Sequence, residues 1–376
     1  VPGGKEVDIE LGFGSSAFAS RSKRGEVRFL TDRGPTFYCE DSAAYAGRTL
    51  CAQGVIFLIP DFAPRIVEAS YDASGEFRIG REIPLVDPAG RPLSGVPPVV
   101  AGLRIEQGYT TDGSPLPADP DGIDTESLVA LSDGSFWVGE EYLSSLLRVG
   151  PDGRVIERLV PAGLGELPGK PKRVPIRELL PSILLTRTPN RSLEALALSR
   201  DEKKLWFLSE TALSNPDRSV AANSLTVRLF RLDLTRLVVD GEWAVRLDPP
   251  ESLDPTRPGL VADIRISDAT MTPDGRLVIL ERSRETARLL EIDVAAATNL
   301  LGSSWDDRAT RPTLEELAEL PPSVRPVSTR LLTEFPLAGE KIEALGALED
   351  GSFVLANDSD FGIEGKKTRP RTIRVP

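Results

Sequence analysis

Apolar and polar residues alternate along most of this chain in runs of four to eight, the two-residue period of a half-buried β-strand. Four stretches repeat one arrangement: IDTESLVALSDGSFWVGEE (123–141), SLEALALSRDEKKLWFLSE (192–210), ISDATMTPDGRLVILERS (266–283) and KIEALGALEDGSFVLANDSD (341–360). Each has an acidic residue at or near its start, then an apolar strand, a turn, a second apolar strand, and an acidic or Asn residue. Three of the turns carry Asp-Gly, at Asp133, Asp274 and Asp350, which predicts type I′ hairpins. A hairpin recurring at near-even intervals predicts a radial β-propeller.

The remaining alternation completes the units. Strands are expected at 7–13, 15–19, 26–32, 55–59, 65–72, 76–85 and 102–108, and after each hairpin at 145–150 and 154–160, 225–234 and 242–248, 288–294 and 328–337, and 371–375. Short helices are expected at 176–184 and 313–320, the second with Thr313 and Glu316 as a capping box. The last unit is one strand short and the first has one to spare. The expectation is therefore an all-β, single-domain propeller over residues 1–376, with five blades of about 75 residues. An N-terminal strand at 7–13 would complete the last blade. Six blades follow instead if the segment after Leu85 hides a degenerate one. Pro/Gly-rich stretches at about 86–122, 161–191 and 296–330 read as long loop insertions.

Composition narrows the chemistry. The 376 residues include 32 Gly and 32 Pro, as many tight connections require, and a formal net charge of −12. A chain this acidic is a poor partner for nucleic acid or an anionic membrane, and no apolar run reaches the length of a membrane span. There is no histidine. Ser-His-Asp and Cys-His catalysis and His-bound zinc are thereby excluded, and no G-x-S-x-G elbow occurs. A resident metal must be held by oxygen, which favours calcium, then magnesium or manganese.

The two cysteines, Cys39 and Cys51, lie alone in a polar loop and are expected to form a disulfide, which places the chain outside the cytoplasm. The first residue is Val1 rather than Met, which a removed signal peptide and a truncated sequence both explain.

If every hairpin begins near the propeller axis, Glu126, Glu194, Asp268 and Glu343 converge there, with Asp268 one residue out of register with the three Glu. Carboxylates packed together need a cation, an arginine or a proton. Glu126, Glu194, Asp268, Glu343 and Asp358 are the expected metal ligands. Glu140, Glu141, Glu210, Glu281, Asn357 and Asp360 end the second strands, and of each adjacent pair only one side chain can face inward. Arg33, Arg191 and Arg282 stand beside these acids as ion-pair partners or as clamps for an anionic ligand.

Motifs in a fixed order add a family resemblance. TDRGP (31–35), DTES (124–127) with WVGEEY (137–142), NRSLEALALS (190–199), LVILERS (277–283), and KIEALGAL (341–348) with NDSDFG (357–362) resemble the signatures of the bacterial phytase-like family, "esterase-like activity of phytase". The likeness runs from about Phe29 to Gly362. Ser192, Ala195, Ala344 and Ser359 depart from its usual pattern. The resemblance implies a secreted or periplasmic β-propeller, and with the acid-rich, histidine-free site it motivates hydrolysis of a small-molecule ester or phosphate ester; a monomer is expected. In that reading a channel calcium polarises the ester, Glu126 or Glu343 acts as base, and Arg33 or Arg282 holds the anionic group. The competing reading is a non-catalytic extracytoplasmic binding propeller whose acids and metal brace the blades.

Overall fold

The computed structural model describes residues 4–72, 74–169 and 172–375. Strands β1 (Ser16–Ala19) and β2 (Glu26–Leu30) pair, and the chain leaves through β3 (Thr36–Tyr38), helix α1 (Ser42–Ala46) and β4 (Val55–Phe57). It returns with β5 (Arg65–Tyr71) and β6 (Phe77–Pro84), then adds β7 (Gly108–Tyr109) parallel to β4. The second sheet holds β8 (Thr125–Ala130), β9 (Phe136–Glu140), β10 (Ser145–Val149), β11 (Val155–Pro161) and β12 (Ile176–Leu180). The third holds β13 (Leu193–Leu198), β14 (Lys204–Ser209), β15 (Thr226–Asp233) and β16 (Val238–Arg246). The fourth holds β17 (Arg265–Met271), β18 (Leu277–Arg282), β19 (Thr286–Asp293) and β20 (Ser328–Pro336). The fifth holds β21 (Lys341–Ala347), β22 (Phe353–Asp358) and β23 (Arg371–Ile373). A small separate sheet, β3-β4-β7, sits outside these five.

The fold is all-β, and its core lies between sheets. On β14, Leu205 and Phe207 pack with the second sheet while Trp206 and Leu208 pack with the fourth. On β18, Leu277 and Ile279 face the third sheet while Val278 and Leu280 face the fifth. A strand buried on both faces loses its polar alternation, which is why LEALAL and LVILER read as near-continuous apolar runs. Ala344, Val354 and Ala356 of the fifth sheet pack with Ala17, Val27 and Phe29 of the first. The first strands follow the same order: β1 neighbours β8, β8 neighbours β13, then β17 and β21, and β21 lies beside β1.

Several expected elements differ. Residues 7–13 form no strand, and the described fifth sheet has three strands. Gly12 and Gly14 let this segment cross the end of β22 at close quarters: a Cβ at Gly14 would lie 2.0 Å from the Asn357 carbonyl. The contact is an end-on crossing rather than a ladder, with Glu10 N–H donating to the Phe361 carbonyl. Residues 176–180 pair as β12, parallel to β11, where a helix was expected, because Pro181 ends any helical turn and Arg158 N–H bonds the Pro175 carbonyl. The helix expected at 313–320 shrinks to a 3-10 turn at Leu314–Glu316, with the Glu316 carboxylate accepting the Thr313 N–H at 2.6 Å. The Asp-Gly turns are not type I′: only Gly134, Gly275 and Gly351 have positive φ, and the loops are type I turns closed by a left-handed glycine.

Candidate functional site

One repeated irregularity builds the site. In the second sheet Thr125 pairs with Glu140 and Ser127 with Gly139, so Glu126 is an extra residue. The same shift makes Glu194 the extra residue of β13, Ser267 that of β17 and Glu343 that of β21. A β-bulge re-aims its extra side chain. Here Glu126, Glu194 and Glu343 all reach one cavity of about 420 Å³. The residue after each bulge partner supplies a second group at the same level: Glu141, Glu210, Arg282 and Asp358.

Ten carboxylates and four cations line the cavity, so the cations cannot balance the acids. Arg191 and Arg265 both donate to Glu210, at 3.0 and 3.3 Å. Burial pushes the Glu210 carboxyl up, but these arginines hold it below its usual value. Arg33 donates to Asp124 and Glu106 at 3.0 Å and to the Asn190 side-chain carbonyl at 3.1 Å. Lys341 lies 3.1 Å from Glu343 and 2.7 Å from Asp358. Arg282 holds Glu343 from behind while its Nε donates to Ser267 at 2.8 Å.

The acids between the second and third sheets lack such partners. Glu194 is 5% exposed, and neither it nor Glu126 has a hydrogen-bond donor or ion-pair partner among the described residues. Burial, and then each other's charge, raise Glu126 well above the usual range; burial, Glu210 and Glu141 do the same to Glu194. Glu141 accepts only the Ser192 N–H, at 2.6 Å, and is pushed up to about 8 by burial, Glu210 and Asp124. Oxygens from Glu141, Glu194 and Glu210 lie within 4.8 Å of one another, as do those of Asp124, Glu126 and Glu141. Ligands around a calcium ion at 2.3–2.6 Å are at most about 5 Å apart, so either group matches the reach of that ion.

The residues singled out from the sequence divide into two levels. Glu126, Glu194, Glu343, Asp358 and Arg33 line the cavity, and Arg282 backs it. Asp268 lies below, fully buried, where it accepts from Ser16 Oγ at 3.0 Å and from the N–H groups of Ala17, Leu345 and Ala269 at 3.3, 2.8 and 2.8 Å. Ser16 Oγ in turn accepts the Leu128 N–H at 3.1 Å, so β17, β21, β1 and β8 are tied together beneath the site. Glu140 turns away from its neighbour Glu141 to accept the N–H groups of Tyr142 and Leu143 and to pair with Arg158 at 2.6 Å. Cys39 and Cys51 are disulfide-bonded, and the loop they close carries Asp41, Ala44 and Tyr45 over the cavity. Asp32, Lys341 and Arg265 also line it. The first two sit inside the quoted motifs TDRGP and KIEALGAL, whereas no local signal marks Arg265.

A family model described as phytase-like, esterase-like activity of phytase, matches residues 12–361. The chain belongs to this family. A relative of this phytase-like chain, an uncharacterized secreted protein from Arthroderma benhamiae, is 28% identical over 234 residues, which cover 54% of this chain and 45% of that protein. The match thus spans less than half of the relative's length. Solved structures similar to it include regucalcin, a calcium-binding protein from Agrobacterium tumefaciens, at 10% identity, 99% of this chain, 93% of that chain and a TM-score of 0.37. Virginiamycin B lyase from Staphylococcus aureus matches at 12% identity, 98% and 89% coverage and a TM-score of 0.34. Scores this low carry no argument about the site.

Proposed function

We propose that this phytase-like chain is an extracytoplasmic, single-domain, five-bladed β-propeller that hydrolyses a small-molecule ester or phosphate ester with a calcium ion in its acidic cavity. The observation that carries the reading is the pair of unpartnered carboxylates, Glu126 and Glu194, beside Glu141. Glu194 is buried and Glu126 half-buried, and acids in that state either bind a cation or stay protonated. Glu141 belongs to both compact groups and is the ligand assigned first, with Glu194 and Glu210 or with Asp124 and Glu126. Glu343 and Asp358, whose charges Lys341 and Arg282 already neutralise, rim the site, and Asp268 braces the inner strands.

The cation would supply Lewis-acid polarisation of the ester oxygen. The chain's own groups do the rest. Ionised beside a bound cation, Glu126, which has no donor among the described residues, would accept a proton from the attacking water and pass it to the alcohol oxygen as the ester bond breaks. Arg191 and Arg265 each use Nη1 on Glu210, which leaves the other guanidinium nitrogens to hold the anionic group; Arg33 does the same at the opposite wall. The disulfide and the secreted relative support the extracytoplasmic assignment.

The second reading is a binding propeller in which acids and metal only brace the sheets. The fully paired Arg282-Glu343-Lys341-Asp358 side of the cavity favours it. Turnover of aryl esters and aryl phosphates with calcium, and again with EGTA, separates the two. Hydrolysis lost with EGTA and in Glu126→Gln supports the enzyme. No turnover of either class by the calcium-loaded protein makes it a scaffold.

A further inference from the structure

A second cavity of about 750 Å³ adjoins the first, and Tyr38 lines both. The wall between them is a file of polar side chains. The Asn190 amide donates to the Tyr38 hydroxyl at 3.1 Å, its carbonyl accepts from Arg33 at 3.1 Å, and Arg33 donates to Glu106 at 3.0 Å on the outer side. A ligand group in the outer cavity is therefore one side chain away from the acidic site.

The outer cavity stands on the extra sheet β3-β4-β7, which belongs to none of the five radial sheets. Its floor is built rigidly. The disulfide fixes Cys39 to Cys51, and Gly54, at φ +125°, lets its backbone approach the Gln107 carbonyl so closely that a Cβ would lie 2.3 Å from it. Two arginines, both exposed, and two glutamates line it, in a chain of net charge −12. Arg104 and Arg218 face this cavity without a carboxylate partner among the described residues. Against them stand Glu40 and Glu106, and Glu106 shares Arg33 with Asp124. Unpaired guanidinium groups in a cleft recognise carboxylate or phosphate oxygens in the bidentate manner.

We propose that the outer cavity is a second subsite, in which Arg104 and Arg218 bind an oxyanion on the non-reacting part of the ligand, so that the ligand is an ester with an anionic tail. This rests on the ester-hydrolase reading for the reacting end, but not for the binding itself. Both cavities, of about 420 and 750 Å³, have the volume of small-molecule sites, so each can take one end of a ligand. Tyr38, 40% exposed, presents its ring at the junction as the surface on which the linking segment lies.

The test compares p-nitrophenyl butyrate with the p-nitrophenyl monoester of glutarate, on the wild type and on the doubly substituted Arg104→Ser, Arg218→Ser protein, both calcium-loaded. The expected result is a KM about tenfold lower for the glutarate ester on the wild type, lost in the double variant with kcat and the butyrate ester unchanged. Equal KM values on the wild type, or a double variant that weakens both esters alike, would overturn the subsite. If neither ester turns over, the carboxylic-ester arm of the hydrolase reading fails, and the subsite is judged by direct titration with glutarate and with glycerol phosphate. Binding by the wild type that the double variant loses upholds it, and the preferred anion separates carboxylate from phosphate. No binding of either anion, or equal binding by both proteins, overturns it.

Discussion

Glu126 and Glu194 occupy one structural position in successive sheets: each is the extra residue of a bulge in its sheet's first strand, and each reaches the shared cavity with no donor among the described residues. Two such carboxylates side by side repel when both are ionised. In metal-free protein at pH 8, Glu126→Gln or Glu194→Gln removes that repulsion, and Tm should rise by about 1–3 °C. The same variants should lose most of the Tm increase that calcium gives the wild type. Paired thermal melts with calcium and with EGTA read both effects.

Calcium affinity should climb with pH. Glu141 is held up to about 8, so its proton must leave before it can ligate. Titration calorimetry in buffers of differing ionisation enthalpy should show proton release near pH 7 that fades above pH 9. Binding without proton release at pH 7 would mean Glu141 is not a ligand.

Glu281 gives a pH effect of separate origin. It is buried with both oxygens unpartnered, and burial and Asp248 push it up to about 7 from 4.5. A carboxyl raised in the folded state leaves stability intact below pH 4.5, costs progressively more as pH rises towards 7, and levels off above. Glu281→Gln should therefore add about 1–3 kcal/mol at pH 8 and little at pH 4.5, by urea denaturation. Arg288 keeps Glu334 and Asp248 as its partners.

Asp268 separates bracing from ligation. Four donors converge on its carboxylate, and the Asn amide would turn an N–H group against some of them. Asp268→Asn should cost about 2–4 kcal/mol while leaving calcium stoichiometry unchanged. Lost calcium with retained stability would make Asp268 a ligand, as its place in the sequence repeat suggested.

Reducing the disulfide should loosen the outer wall. Cys39→Ser with Cys51→Ser should lower stability by about 2–3 kcal/mol for a loop this short. Hydrogen exchange should rise in residues 36–57 and not in the β8-β9 hairpin.

The hairpins were legible because strand alternation and Asp-Gly turns are local signals, and the radial order followed from their repetition. Glu126, Glu194 and Glu343 were legible for the same reason, since the bulge recurs at one point of the repeat. Asp268 stands one residue past that point, because the fourth sheet puts Ser267 there, and its carboxylate is turned to the N–H groups of the inner strands. The N-terminal segment misled. VDIELGF alternates like a strand, yet Gly12 and Gly14 serve a close crossing that only the partner backbone reveals. The pairing of Arg265 with Glu210 lies 55 residues apart in sequence and could not be read from either neighbourhood.

The central claim is that the buried acids around Glu141 hold a divalent cation. Elemental mass spectrometry of protein purified without chelator, wild type beside Glu141→Gln, tests it most directly. The account predicts about one calcium per wild-type chain and a loss of nearly all of it in the variant. No metal in the wild type, or equal metal in both proteins, would contradict it.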